Sequence, residues 1–232
     1  MRSLFVTSTG TGIGKTLVTA ALAHELRARG ETVVALKPVI SGYPAEPGDE
    51  SDTDVLLRAQ GTASSDTARD AISPWRFRAP LSPDMAAARE GRPIDFARLV
   101  AWTHERRAQA PSWLLVEGVG GVCVPLDDRH TVLDWIAATG FPAVLVAGTY
   151  LGTLSHTLTA ASVLRARGVE LAGLVLAESP ESPVPIAETR DALLRFLGPL
   201  PCAAIPRLAA HPDPWRKAPP LLDDLRLPSR RV

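Results

Sequence analysis

The sequence predicts an α/β fold: a mostly parallel β-sheet flanked by helices on both faces. Three observations lead there. Short apolar runs alternate with longer helix-forming runs along the 232 residues. Those apolar runs are continuous rather than alternating in polarity, as strands covered on both faces require. The first of them, Leu4-Phe5-Val6, runs into a glycine-rich loop that opens a helix. Such a junction places a ligand site at the carboxyl end of a strand.

The elements follow in order. The first helix is expected from Lys15 to Ala28, closed by Gly30. Thr32–Lys37 reads as the second strand, ended by Pro38, and a polar loop with Pro44, Pro47, Gly48, Asp49 and Glu50 runs on through Asp52, expected to be mobile without ligand. Asp54–Ala59 is a short helix. Pro83 starts another that runs through Arg89, and a further helix covers Ile94–Ala108. Trp113–Val116 and Pro142–Ala147 are strands, separated by a helix over Thr131–Ala138. Thr153 is a candidate N-cap for a helix to Ala166, which Gly168 closes. A strand at Leu171–Leu176, a helix at Ile186–Leu197 and a last strand at Cys202–Ile205 complete the pattern. Residues 1–210 read as a single domain. The tail 211–232, with Pro212, Pro214, Pro219, Pro220 and Pro228, reads as a loosely packed Pro-rich extension.

The chemistry collects at the strand ends. Thr7-Ser8-Thr9-Gly10-Thr11-Gly12-Ile13-Gly14-Lys15-Thr16 has the layout of a phosphate-binding loop, which makes the fold of the P-loop NTPase type. Backbone N–H groups and the helix start would face a polyphosphate, Lys15 would reach its β/γ end, and Thr16 could ligate Mg²⁺. Thr9 stands where the strict pattern has glycine. Lys37 ends an apolar strand; it would either snorkel to solvent or stand beside the triphosphate, and the second reading is favoured by its edge of the sheet. Glu117 follows Trp113–Val116 and precedes Gly118, Gly120 and Gly121. An acid there needs a cation, and Mg²⁺ suits it. Asp49, Glu50, Asp52 and Asp54 are equivalent candidates for a further ligand. The residues after each strand, at 7–15, 37–41, 117–121, 148–153 and 177–180, should converge on one site. Gly152-Thr153-Leu154-Ser155-His156 marks another helix start that could hold a carboxylate.

Composition bounds the partners. Lys and Arg number 25 against 25 Asp and Glu, which gives no electrostatic case for nucleic acid or an anionic membrane. No apolar run is long enough to span a bilayer, and the start Met1–Val6 is too short for a secretory signal, so a cytoplasmic protein is expected. Cys123 and Cys202 lack metal-ligand spacing and read as buried free thiols.

Taken together, the phosphate loop, Lys37-Pro38-Val39-Ile40-Ser41-Gly42, Asp54, Pro80-Leu81-Ser82-Pro83, Glu117-Gly118-Val119-Gly120-Gly121 and Leu151–His156 resemble the dethiobiotin synthetase family over about residues 4 to 213. The resemblance implies Mg-ATP-dependent closure of a ureido ring on 7,8-diaminononanoate with CO₂, through a carbamate and a carbamic–phosphoric anhydride. It implies that Lys15 and Lys37 stabilise the transferring phosphoryl, and that Thr16, Asp54 and Glu117 hold Mg²⁺. The nucleotide would lie along Gly12, Ile13, Gly14, Lys15, Thr16 and Leu17, with Gly118, Val119 and Gly120 beside it. Ser41 would bond the carbamate and Pro80 would line the alkyl chain. The family's active site lies at a homodimer interface, where Gly152, Thr153 and Ser155 of the neighbouring subunit would take the substrate carboxylate.

This chain departs from the family's pattern in places. Ser8, Gly10 and Gly12 stand where Gly and acids are frequent, and Ser155 where many members have Asn. Ala177-Glu178 stands where many have the Asn-Asp that reads adenine. The base pocket would then rest on backbone groups with Pro206, Arg207, Leu208 and Asp213. Relaxed nucleotide choice follows as an expectation, with CTP or another nucleoside triphosphate accepted beside ATP. Two other readings stay open here: a different P-loop ATPase of ligase or positioning type, and a non-catalytic nucleotide-binding regulator.

Overall fold

The computed structural model describes residues 2–44, 50–110 and 112–228. Most of the polar loop expected between Gly42 and Asp52, including Pro47, Gly48 and Asp49 and its expected mobility, lies outside the described residues. Strand β1 (Arg2–Ser8) leads through the glycine loop into helix α1 (Lys15–Ala28) and then β2 (Val33–Leu36). After it come β3 (Val39–Ser41), α2 (Asp52–Ala59), α3 (Asp66–Ile72), β4 (Trp75–Phe77), α4 (Pro83–Arg89) and α5 (Phe96–Gln109). The second half holds β5 (Trp113–Glu117), α6 (Val132–Thr139), β6 (Ala143–Ala147), α7 (Thr153–Ala166), β7 (Leu171–Ala177), α8 (Ile186–Leu197) and β8 (Cys202–Ile205).

Six strands form one sheet in the order β2-β5-β1-β6-β7-β8, and every pairing in it is parallel. All residues of β5 and β6 are buried. That burial explains their unbroken apolar runs, since both faces are covered. The strand order reverses between β1 and its two neighbours β5 and β6, which opens a crevice at the carboxyl ends beside the glycine loop.

A second sheet pairs β3 with β4 in parallel and was absent from the expected elements, as was α3. It has a positional job. Gly42 N–H donates to the Ala79 carbonyl at 3.0 Å and Tyr43 N–H to that of Phe77 at 2.8 Å, which holds the 41–43 and 77–83 segments together. Two expectations at helix starts change as well. Helix α2 begins two residues early, at Asp52, because Ser51 caps it. Gly152, not Thr153, is the N-cap of α7.

The tail is not loosely packed. A 3₁₀ turn at Pro214–Lys217 buries Trp215 against α1, with the indole 5.0 Å from the His24 ring. Leu221, Leu222 and Leu225 join the same hydrophobic core as the sheet. Glu25 on α1 accepts the backbone N–H groups of Leu221 and Leu222 at 2.7 and 3.1 Å. The prolines end regular structure there, but the leucines between them still remove apolar area from water.

Candidate active site

A cavity of about 610 Å³ opens at the carboxyl ends of β1, β2 and β5. The glycine loop forms one wall. Gly14 has φ 98°, a left-handed conformation that costs a side-chain-bearing residue about 1–2 kcal/mol, and an added Cβ would lie 3.2 Å from that of Ala177. Gly14 serves as N-cap of α1 with no side-chain capping bond. The first-turn N–H groups of α1 are thus left for an anion. Gly121 brings a second glycine turn against this loop; a Cβ there would stand 3.2 Å from Gly10 N and Thr9 O.

Ser8 organises the loop's interior. Its Oγ donates to the Gly10 carbonyl at 2.6 Å and accepts from Lys15 Nζ at 3.0 Å. Burial first, and repulsion from Lys37 next, lower the Lys15 ammonium to a pKa of about 8. A triphosphate would reverse that repulsion by supplying negative charge between the two lysines.

Lys37 is 3% exposed, so it does not snorkel to solvent. Its ammonium bonds Glu117, the Gly118 carbonyl at 3.1 Å and Asp52 at 3.1 Å. Burial works against that charge, but the Glu117 and Asp52 carboxylates together outweigh it and raise the pKa. Asp52 stays ionised for the matching reason: burial opposes its charge, and Lys37 overrides it, leaving its pKa below the usual value. Thr16 Oγ1 donates to Glu117 Oε1 at 2.8 Å.

Asp54 does not belong to this group. Its carboxylate accepts from Ser51 Oγ at 2.6 Å and from Arg69 Nε at 2.8 Å, closing a capping box at the start of α2. Those oxygens are spent on the helix start, so the expectation that Asp54 ligates the metal is overturned, and Asp52 takes its place in the cavity wall. The sequence carried the signal. Ser51-x-x-Asp54 is a capping-box spacing, which ties Asp54 to the helix start and leaves Asp52 for the cavity.

The fit to Mg²⁺ rests on one orphaned atom. Glu117 is fully buried and its Oε2 has no hydrogen-bond partner. Among the described residues no group of three or more His, Cys, Asp or Glu gathers anywhere. Thr16, Asp52 and Glu117 are therefore a sparse oxygen set of the kind that suits a cation sharing its sphere with phosphate and water.

Gly12, Ile13, Gly14, Lys15, Thr16, Lys37, Ser41, Pro80, Glu117, Val119 and Gly120 all line the cavity. Leu17 packs on the core, and Gly118 contributes its carbonyl to Lys37. Ala177 sits against Gly14, while Glu178 accepts the Arg207 N–H at 2.8 Å, joining the ends of β7 and β8. Pro206, Arg207 and Leu208 follow that junction. Asp213 does not reach out for a base: Arg58 and Arg216 bind its two oxygens at 3.0 and 3.1 Å. The strand ends do not all converge. Gly152 and Thr153 line a different cavity with Tyr150, Leu151 and Val184, and Ser155 is exposed on α7. Cys123 is exposed and Cys202 half-buried, so neither is the buried thiol expected.

A family model described as an AAA domain matches residues 2–213. The chain is 52% identical to the ATP-dependent dethiobiotin synthetase BioD of Acidiphilium cryptum over 202 residues, covering 87% of this chain and 91% of that protein. It is 47% identical to the protein of the same name from Methylobacterium nodulans, covering 85% and 90%. Among solved structures, the septum site-determining protein MinD complexed with Mg-ADP from Pyrococcus horikoshii superposes with a TM-score of 0.54 at 16% identity, covering 99% of this chain and 90% of that one. A ParA family ATPase from Chlorobium tepidum gives 0.52 at 15% identity, covering 89% and 84%. At those identities the likeness is one of fold.

Proposed function

The chain belongs to the ATP-dependent dethiobiotin synthetase family, and from that premise we propose how its residues divide the work. The enzyme closes the ureido ring of dethiobiotin from 7,8-diaminononanoate and CO₂ with Mg-ATP, a step of biotin biosynthesis. One observation carries the assignment of residues. Lys15 and Asp52, at the starts of α1 and α2, and Lys37 and Glu117, at the ends of β2 and β5, face one cavity with opposite charges interleaved.

The α1 start and Lys15 bind the β- and γ-phosphates. Lys37 stands on the far side of the transferring phosphoryl, so negative charge developing there meets two fixed ammonium groups that need no reorganisation. Thr16, Asp52 and Glu117 would hold Mg²⁺, which would supply charge neutralisation to the triphosphate. Ser41 donates to the substrate carbamate, and the Pro80–Pro83 segment packs its alkyl chain. The carbamate oxygen attacks the γ-phosphorus, ADP leaves, and the second amine displaces phosphate from the mixed anhydride. Each charged hydrogen bond to the phosphoryl is worth about 1.5–3 kcal/mol.

The carboxylate end of the substrate lies with a second subunit. Gly152 has φ 98° and caps α7 without a side-chain bond, repeating the anion-ready start of α1. It lies in another cavity of the same chain, beside Leu151 at 86% exposure, Leu154 at 42% and Val184 at 39%. Such an apolar fringe suits a homodimer contact that brings this helix start to the partner's Ser41 side of the site. Base choice is relaxed, because Ala177 offers a methyl group where a bidentate reader would stand and the Glu178 carboxylate is engaged by Arg207. Among the described residues no helix is long and apolar enough to cross a membrane; we assign the enzyme to the cytoplasm with its pathway.

One assay tests the reading. Purified protein with Mg-ATP, bicarbonate and diaminononanoate should yield dethiobiotin by mass spectrometry, with ATP and CTP compared at equal concentration. Phosphate release without dethiobiotin would sink the catalytic assignment, and rejection of CTP by orders of magnitude would sink relaxed base choice.

A further inference from the structure

A third cavity, of about 410 Å³, lies at the amino ends of the strands, on the opposite edge of the sheet from the catalytic cavity. Its size is within the roughly 300–1,000 Å³ range of small-molecule sites. The floor is apolar: Trp113 opens β5, Phe141 precedes β6, Ala172 lies in β7, and Leu225 and Leu227 come from the folded-back tail. Ligands in an α/β sheet ordinarily bind at the carboxyl ends of the strands, so this hollow at the amino ends lies apart from that crevice.

Its rim is cationic. Arg107 lies over the Phe141 ring, 5.2 Å from its centre, and makes no ion pair among the described residues. A guanidinium stacked this way is already held in place and keeps its in-plane N–H groups free for a planar anion. Arg226 faces the same space, also without an ion pair among the described residues, from a backbone with φ 52°. It is the one non-glycine of positive φ among the described residues. That left-handed conformation is fixed by the bonds from Arg226 N to Asp223 O and from Leu227 N to Leu222 O, at 3.0 and 2.9 Å. Arg2 is a third cation, but the Pro228 carbonyl and Glu31 already engage it. Glu170 is the one acid among the described lining residues.

Two polar atoms of the wall also lack partners. Trp113 Nε1, on a side chain of a residue only 2% exposed, and Ser3 Oγ make no hydrogen bond. Buried donors of this kind are ordinarily satisfied. An apolar floor, two free guanidinium groups above it and unsatisfied donors in the wall share one complement: an apolar body ending in a carboxylate.

We propose that this cavity is a second ligand site, separate from catalysis, for a small amphipathic monocarboxylate, with the alkyl or ring portion on Trp113, Phe141 and Leu225 and the carboxylate between Arg107 and Arg226. Catalysis uses a substrate of the same general shape, so the two sites must be told apart. Octanoate is titrated calorimetrically into the full-length protein saturated with diaminononanoate and ADP. Binding is expected in the wild type and reduced at least tenfold in the double variant Arg107→Glu/Arg226→Glu, with dethiobiotin formation at the wild-type rate. Ala172→Phe, which fills the floor, should abolish it; the charge variant decides alone if that protein does not fold. No heat of binding once the catalytic site is saturated would overturn the proposal, as would equal binding to the charge-reversed variant. Equal affinity for octylammonium would do the same, since it would show that the arginines do not read the head group.

Discussion

Asp52 and Asp54 lie two positions apart on one helix and do different work. Asp52 faces the cavity and Lys37; Asp54 ties down the α2 start through Ser51 and Arg69. The Asp52→Ala enzyme should lose about tenfold to a hundredfold in kcat, the worth of one charged interaction, with a melting temperature near that of the wild type. Asp54→Ala should reverse the pattern, costing about 1–2 kcal/mol of stability as a lost cap while turnover stays within about twofold. A steady-state assay beside a thermal melt separates them, and equal effects on both readouts would refute the division. Lys37 combines both roles. Read as a strand-end lysine that buries little, Lys37→Ala should leave folding intact. Buried between Glu117 and Asp52, it cannot be removed so cheaply: the variant leaves carboxylates facing each other, and breaking a buried pair this way costs about 3–5 kcal/mol. Urea denaturation should show that loss beside the fall in kcat.

At the scale of elements, the helix ends follow sequence logic closely. Helix α1 was legible from the loop before it and Gly30 after it, α4 from Pro83 at its first turn, and α8 from Ile186 to Leu197 with Gly198 beyond. Strands β3 and β4 escaped because three residues carry too little pattern to read, and their pairing is a tertiary event. Helix α3 was announced only by Ser65, whose Oγ accepts the Ala68 N–H at 3.1 Å. Among site residues, Lys15 and Thr16 were legible from the phosphate-loop pattern that opens α1, and Lys37 and Glu117 because each sits at a strand end. Asp52 was singled out only once the Ser51–Asp54 capping box was recognised, which sets Asp54 aside at the start of α2. The capping carboxylates also predict an acid response. Burial opposes the charge of Asp54 and of Asp134, but hydrogen bonds from Ser51 and Thr131 outweigh it, so both pKa values fall below the ordinary aspartate value. A depressed acid stabilises the fold fully above its unfolded pKa of about 3.9 and loses that contribution as pH drops through the lower folded value. Asp134→Asn should therefore flatten the decline in melting temperature below about pH 4. At Gly14, an alanine would meet both the left-handed backbone and Ala177, so Gly14→Ala should weaken nucleotide binding by at least about tenfold in a fluorescent-nucleotide titration.

For the whole molecule, the tail is part of the core. Trp215 is 2% exposed, and Trp215→Ala should cost about 3–5 kcal/mol by chemical denaturation; a change under about 1 kcal/mol would mean the segment packs only loosely. The sheet order has a further consequence, for synthesis on the ribosome. Strand β1 is made well before its neighbours, both of which come from residues 113 and beyond. At about 5–20 residues per second, its backbone waits some five to twenty seconds for a partner. Helix α1 waits longer still, for the Leu221 and Leu222 N–H groups that Glu25 accepts. The phosphate loop that follows β1 has neither neighbouring strand beside it until residues 113–147 have been made, so a nascent chain arrested at residue 110 should be cut readily by protease whether or not ATP is present.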